Sequence, residues 1–211
     1  MTETSALIAA GAGGGPEPVD SVLIAGSHRA PERFGMLFRR HAAEIHGYAA
    51  RRLGVSAADD VVAETFLVAF RLRARYDQSR ENARPWLYGI ATNLIAHHRR
   101  AEARSYQALV RTGVDPVAES FADDAVARVS AAGSWPLVAG ALARLRPEDR
   151  DVLLLVASAD LTYDQVSEAL SVPVGTVRSR LHRARSQVRQ ALRELDPARR
   201  STEEQEGNHH G

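Results

Sequence analysis

The chain has 211 residues, 45% of them apolar and 25% charged, with no cysteine and a net charge of +1. That composition excludes disulfide frameworks and thiolate metal sites, and the near balance of charge excludes a uniformly basic nucleic-acid binder. The longest apolar runs, such as residues 151–159, fall well short of the ~20 residues that cross a bilayer. The first twenty residues carry no basic stretch followed by an apolar core, so the expectation is a soluble, cytoplasmic protein.

Residues 1–29 are rich in Gly, Ala and Pro without a sustained period and read as a disordered extension. A helical pattern then begins. Phe34, Leu37, Phe38, His41, Ile45, Tyr48 and Leu53 recur at spacings of three or four until Gly54 ends them. Ser56, with Asp59 three residues on, reads as the N-cap of a helix whose apolar stripe is Val61, Val62, Phe66, Ala69 and Phe70. After a polar loop, Pro85 opens "PWLYGIATNLIAHHRR", with Leu87, Ile90, Ala91, Leu94 and Ile95 on one side.

Pattern fades over 102–133, where Gly, Pro and acidic residues collect as in a linker. A second unit spans 134–196. Leu137, Leu142 and Leu145 begin it, Pro147 opens an apolar helix, and Thr162 with Gln165 has capping-box spacing. Residues 197–211 read as a disordered tail. No alternation lasts long enough for a sheet, so the expected fold class is all-α: two small helical domains joined by a flexible linker.

Charge is segregated. Eight arginines stand against Glu194 and Asp196 between Gly175 and Arg200, and seven against Asp77 and Glu81 between Arg71 and Arg100. Acidic residues cluster at Asp59, Asp60 and Glu64 and again over 115–124. Separate basic and acidic faces point to several partners. All 27 basic residues are arginine, whose planar fork grips phosphate and guanine edges bidentately.

"TYDQVSEALSVPVGTVRSRLHRAR" reads as a helix, a tight turn at Ser171 to Pro173, and a second helix. Val177, Leu181, Ala184 and Val188 anchor that second helix at spacings of four, three and four. Its outward face then carries Arg178, Ser179, His182, Arg183 and Arg185. This is the layout of a DNA-binding helix-turn-helix. Upstream, Trp86, Tyr88, Asn93, His97, His98, Arg99 and Arg100 interleave aromatics with base, as unpaired DNA requires for stacking and phosphate contact. Core packing is the competing role for Trp86 and Tyr88, and periodicity favours it for at least one of them.

Taken in order, "DDVVAETFLVAF", "RPWLYGIATNLIAHHRR", "LRPEDRDVLLLV" and "VGTVRSRLHRAR" resemble bacterial RNA polymerase sigma factors, specifically the extracytoplasmic-function (ECF) group of the sigma-70 family, over roughly residues 31–195. The resemblance implies a sigma domain 2 at 30–101 and a sigma domain 4 at 134–196. It implies docking on the β′ clamp helices of core polymerase through Asp59, Asp60, Val61, Glu64, Thr65 and Phe66, with the β flap as a further contact. Reading of the promoter −10 element falls to Trp86, Asn93, His97, Arg99 and Arg100, and of the −35 element to Thr176, Arg178, Ser179, Arg180, His182, Arg183 and Arg185. Promoter DNA and core polymerase are the implied partners, with an anti-sigma factor as a further one. No membrane, cofactor, metal or small-molecule substrate is implied. The chain departs from the family pattern at Thr92, Gln165 and Ser167.

Two other classes compete. A helix-turn-helix regulator that binds duplex alone would share the last fifty residues, but a receiver-type front half would need parallel strands, and none is legible. An enzyme would need a nucleophile elbow or a phosphate loop with lysine, and "GAGGGPEP" has neither lysine nor a following helix signal. The expectation is a non-enzymatic protein.

Overall fold

A computed structural model describes residues 17–111 and 135–195, all helix and loop with no strand among the described residues. The elements are α1 (Asp20–Gly26), α2 (Phe34–Leu53), α3 (Val55–Leu72), α4 (Arg84–Arg111), α5 (Trp135–Ala143), α6 (Pro147–Ala157), α7 (Tyr163–Leu170) and α8 (Val174–Leu195). Helices α1–α4 form the first bundle and α5–α8 the second.

The α2–α3 corner depends on one residue. Gly54 takes φ 84° and ψ 166°, a backbone region open essentially to glycine, and so lets two long helices meet without a loop. Helix α3 therefore starts at Val55 without a side-chain cap, and Ser56 lies inside its first turn instead of capping it. Leu37, Ile45, Tyr48, Val61, Leu87 and Ile95 interlock between α2, α3 and α4, all at 1% exposure or less. Thr92 is buried among them, its hydroxyl 2.9 Å from that of Tyr48.

Two boundaries differ from the expectation. The stretch expected to be disordered to residue 29 contains α1, which buries Leu23 and Ile24 and lays Asp20 against α2. Seven residues among Gly and Ala are too few to show a period, and α1 is held by tertiary contacts. The expected linker start at 102 also falls inside a helix. Residues 102–111 contain no Gly or Pro and are mostly good helix formers, so α4 runs on to Arg111. The rest of the expected linker, the tail and residues 1–16 lie outside the described residues.

The two bundles are packed against each other. α7 lies on the first half of α4, and the buried side chains of both bundles form one continuous cluster from Ile24 to Leu181. At the seam, Gly89 meets the Ala169 carbonyl so closely that a Cβ there would overlap the oxygen. Arg52 and Asp151 pair across it, with the two side chains 2% and 14% exposed. Arg84 donates to the Ala159 carbonyl at 2.6 Å, and Arg80 pairs with Glu168 at 3.0 Å.

Candidate nucleic-acid interface

The helix-turn-helix is built as its sequence suggests. Thr162 accepts from the Gln165 backbone N–H at 3.3 Å, and the Gln165 side chain accepts from Thr162 N–H at 2.9 Å, so glutamine completes the capping box. Ser171 closes α7 in the left-handed region at φ 52°, and the Ser167 hydroxyl donates to the Val172 carbonyl at 2.6 Å, bracing the turn. Helix α8 then buries Val177, Leu181, Ala184 and Ala191. Opposite them, Arg178, Ser179, His182 and Arg185 are exposed, with Thr176 and Arg180 half-buried. A groove runs beside this face, lined by Leu153, Tyr163, Arg178, His182, Arg185 and Arg189. Tyr163 and Arg189 were not among the sequence candidates; the position of Tyr163 straight after the cap was the available signal.

Arg183 stands apart. Its Nε and Nη2 hold Asp149 at 3.2 and 2.9 Å, and Asp149 is 1% exposed in the first turn of α6. It joins α8 to α6, yet the side chain stays half exposed, at 50%, on the outer face of the helix.

The upstream segment separates the same way. Asn93, His97 and Arg100 project from α4 into solvent. Trp86 is half-buried with its ring centroid 4.9 Å from that of Tyr76. Tyr88 is a core residue at 1% exposure, and burial pushes its hydroxyl up to about 12. Arg99 turns to the seam, where it donates to the Arg52 carbonyl at 2.7 Å. Burial, with Arg150 and Arg52 beside it, pushes its pKa down to about 10. The positive charge read onto the DNA face at Arg99 is therefore spent inside the protein.

On α3, the exposed face carries Asp59, Asp60 and Glu64. Val61 and Thr65 have no exposure and Phe66 only 6%, so these three cannot meet a partner while the bundle is folded. Val61 follows Asp60 and Thr65 follows Glu64 by one residue, about 100° round the helix, and with Phe66 they form its core stripe. Sequence reasoning missed Leu67 and Phe38 as exposed apolar residues, at 48% and 44%, with Phe38 edge-on to Phe66 at 4.9 Å.

These two bundles match two family profiles. Sigma-70 region 2 covers residues 37–105 and Sigma-70 region 4 covers residues 137–188. The ECF RNA polymerase sigma factor SigL of Mycobacterium tuberculosis is 35% identical over 164 residues, 77% of this chain and 90% of SigL.

The chain belongs to the ECF sigma factors of RNA polymerase.

SigE of Mycolicibacterium smegmatis is 32% identical over 83% of this sigma factor and 68% of SigE. Among solved structures, CnrH in complex with the cytosolic domain of CnrY superposes at a TM-score of 0.60, with 22% identity, covering 84% of this chain and 99% of CnrH. RpoE in complex with the anti-sigma factor NepR from Bartonella quintana gives 0.59 at 20% identity, covering 78% and 99%. Both share the all-helical fold. A region 2 in front of the helix-turn-helix removes the reading as a stand-alone duplex-binding regulator. No described helix is long and apolar enough to cross a membrane.

Proposed function

We propose that this sigma factor docks on core polymerase through the acidic face of α3, reads the −10 element from α4 and reads the −35 element from α8. The single observation that carries this reading is the exposure pattern of α8. Arg178, Ser179, His182 and Arg185 project from a capped helix whose opposite side is anchored by Val177, Leu181 and Ala184. The arginines suit guanine edges and phosphates, and His182 and Ser179 add short polar contacts. On α4, Asn93, His97 and Arg100 are the side chains free to meet unpaired bases, with half-buried Trp86 beside them. Asp59, Asp60 and Glu64, flanked by Leu67 and Phe38, offer an acidic rim around apolar anchors for the polymerase. Catalysis belongs to the polymerase, and this chain supplies recognition.

The proposal requires the bundles to part. Elements named −35 and −10 lie ~85 Å apart along B-form duplex at about 3.4 Å per base pair. Here Arg80, at the approach to α4, and Glu168, in the helix-turn-helix, are in contact at 3.0 Å. The chain between Arg111 and Trp135 can reach ~80 Å when fully extended, enough to serve both elements on one promoter. Relatives of this fold are known in complexes with anti-sigma factors, and a partner of that kind would act on the closed form.

Run-off transcription with purified core polymerase on a pool of genomic fragments tests the reading. The expected result is new start sites that depend on the protein and are lost in Arg178→Ala. Asp60→Arg should weaken assembly with core polymerase. Tight binding of the free protein to promoter duplex with no new start sites would overturn it.

A further inference from the structure

The described part of the N-terminal extension is fastened by buried Leu23 and Ile24, by exposed Glu17, which meets Arg40 Nη2 at 2.9 Å, and by one buried carboxylate. Asp20, 4% exposed at the start of α1, accepts from Arg40 Nη1 at 2.6 Å and from His41 Nε2 at 2.9 Å. Its Oδ2 also accepts the Ala83 backbone N–H at 2.9 Å, and its own N–H donates to the Glu81 carbonyl at 3.0 Å. Asp20 thus grips residues 81–83 by main chain and side chain together. Ala83 is the residue from which α4 departs, because its carbonyl accepts the first helical bond, from Leu87 N–H at 2.9 Å. At the other end of the same loop, the Tyr76 hydroxyl donates to the Arg80 carbonyl at 2.7 Å while the Tyr76 ring lies against Trp86. Between these two fastenings Asp77, Gln78, Ser79, Arg80, Glu81 and Asn82 are all exposed.

The fastening continues inward. His41 Nδ1 meets Glu44 at 2.5 Å, and Glu44 accepts from Arg84 Nε of α4 at 2.9 Å. Burial opposes a charge on His41, but its bonds to Asp20 and Glu44 hold it above the usual imidazole value. Alternating charges therefore run from Arg40 through Asp20, His41 and Glu44 to Arg84, tying α1 and α2 to the start of α4.

We propose that Asp20 is a positioning residue for −10 recognition: the N-terminal helix exists to hold the 77–82 loop and the entry of α4 at a fixed angle to the DNA. This rests on the assignment of α4 to the −10 element, and deepens it by giving the N-terminal extension a task. Asp20 touches no base. It acts through Ala83 and Glu81, and buried charge-assisted bonds of this kind are worth enough to keep a loop in one conformation.

Sequencing transcript starts from the run-off pool reports base preference at −10 and at −35 separately, and Asp20→Ala, Asp20→Asn and Asn93→Ala are the variants to compare. In Asp20→Ala, assembly with core polymerase and −35 preference should hold, while discrimination at −10 falls about tenfold, the scale of a lost charged hydrogen bond. Asp20→Asn keeps an acceptor for Ala83 N–H and should recover part of that loss. Wild-type −10 preference in Asp20→Ala would overturn the proposal, as would equal loss at both elements and in assembly with both variants, which marks a role in folding alone. Unchanged −10 preference in Asn93→Ala would instead sink the assignment of α4, and the positioning role with it.

Discussion

Replacing Asp151 with alanine should unfasten the two bundles without unfolding either. In the packed arrangement Asp151 faces the guanidiniums of Arg52, Arg99 and Arg150, and Arg52 is 2% exposed. Taking away the carboxylate leaves three cations together with little water, and deleting one partner of a buried pair costs ~3–5 kcal/mol. With the bundles apart, Arg52 regains water, so the cost falls on the closed form alone. The closed-to-open ratio should drop by about two to nearly four powers of ten, at 1.36 kcal/mol per factor of ten. The chain has no cysteine, so exposed Ser56 and Ser186 can be changed to cysteine and dye-labelled without background. Wild-type protein should show a high-transfer population, and Asp151→Ala should move most molecules to low transfer, with helical circular dichroism unchanged. High transfer retained in the variant would refute the reasoning, because the pair would then not hold the seam.

Gly89→Ala should also open the protein, through the clash with Ala169, while favouring α4 itself by ~1 kcal/mol of helix propensity; lower transfer with no loss of thermal stability in the first bundle is the expected pair of results. Arg183→Ala should lower the melting temperature of the second bundle, since it strands buried Asp149. Arg178→Ala should leave that temperature alone and instead reduce the log–log salt slope of −35 duplex binding by about 0.9, one phosphate contact. The fastening of α1 should depend on pH from both sides. His41 is raised, so its contribution is complete below the ordinary 6.5 and fades as pH climbs through its folded value. Glu44 and Asp20 are lowered despite burial, so theirs is complete above the ordinary 4.5 and fades as pH falls through theirs. Amide exchange at Leu23 and Ile24, corrected for the intrinsic pH dependence, should be slowest between those values, with Arg40 and Arg84 charged throughout.

What could be read before the structure was whatever a helix encodes along its own length. The four-three-four spacing from Val177 to Val188, the Thr162–Gln165 box and the break at Gly54 are local and appear as expected. Contacts made across the fold were hidden. Arg183 looks like any other arginine on α8 until Asp149, 34 residues away, is seen beneath it. Val61, Thr65 and Phe66 share a motif with Asp60 and Glu64 yet point the other way, because adjacent helical positions diverge by about 100°. Helix α1 has too few residues to announce itself, and its anchor, Asp20, finds partners 20 to 63 positions downstream.

Arg84 belongs to two structures at once. Its Nε ends the run of charges that begins at Arg40, and its Nη2 reaches the Ala159 carbonyl across the seam. Parting the bundles removes the Ala159 bond and leaves Arg84 with Glu44, so a coupling between the seam and the seating of α1 would pass through this side chain. Such a coupling would be reciprocal: whatever factor the parting of the bundles applied to the seating of α1, a change in that seating would return to the seam.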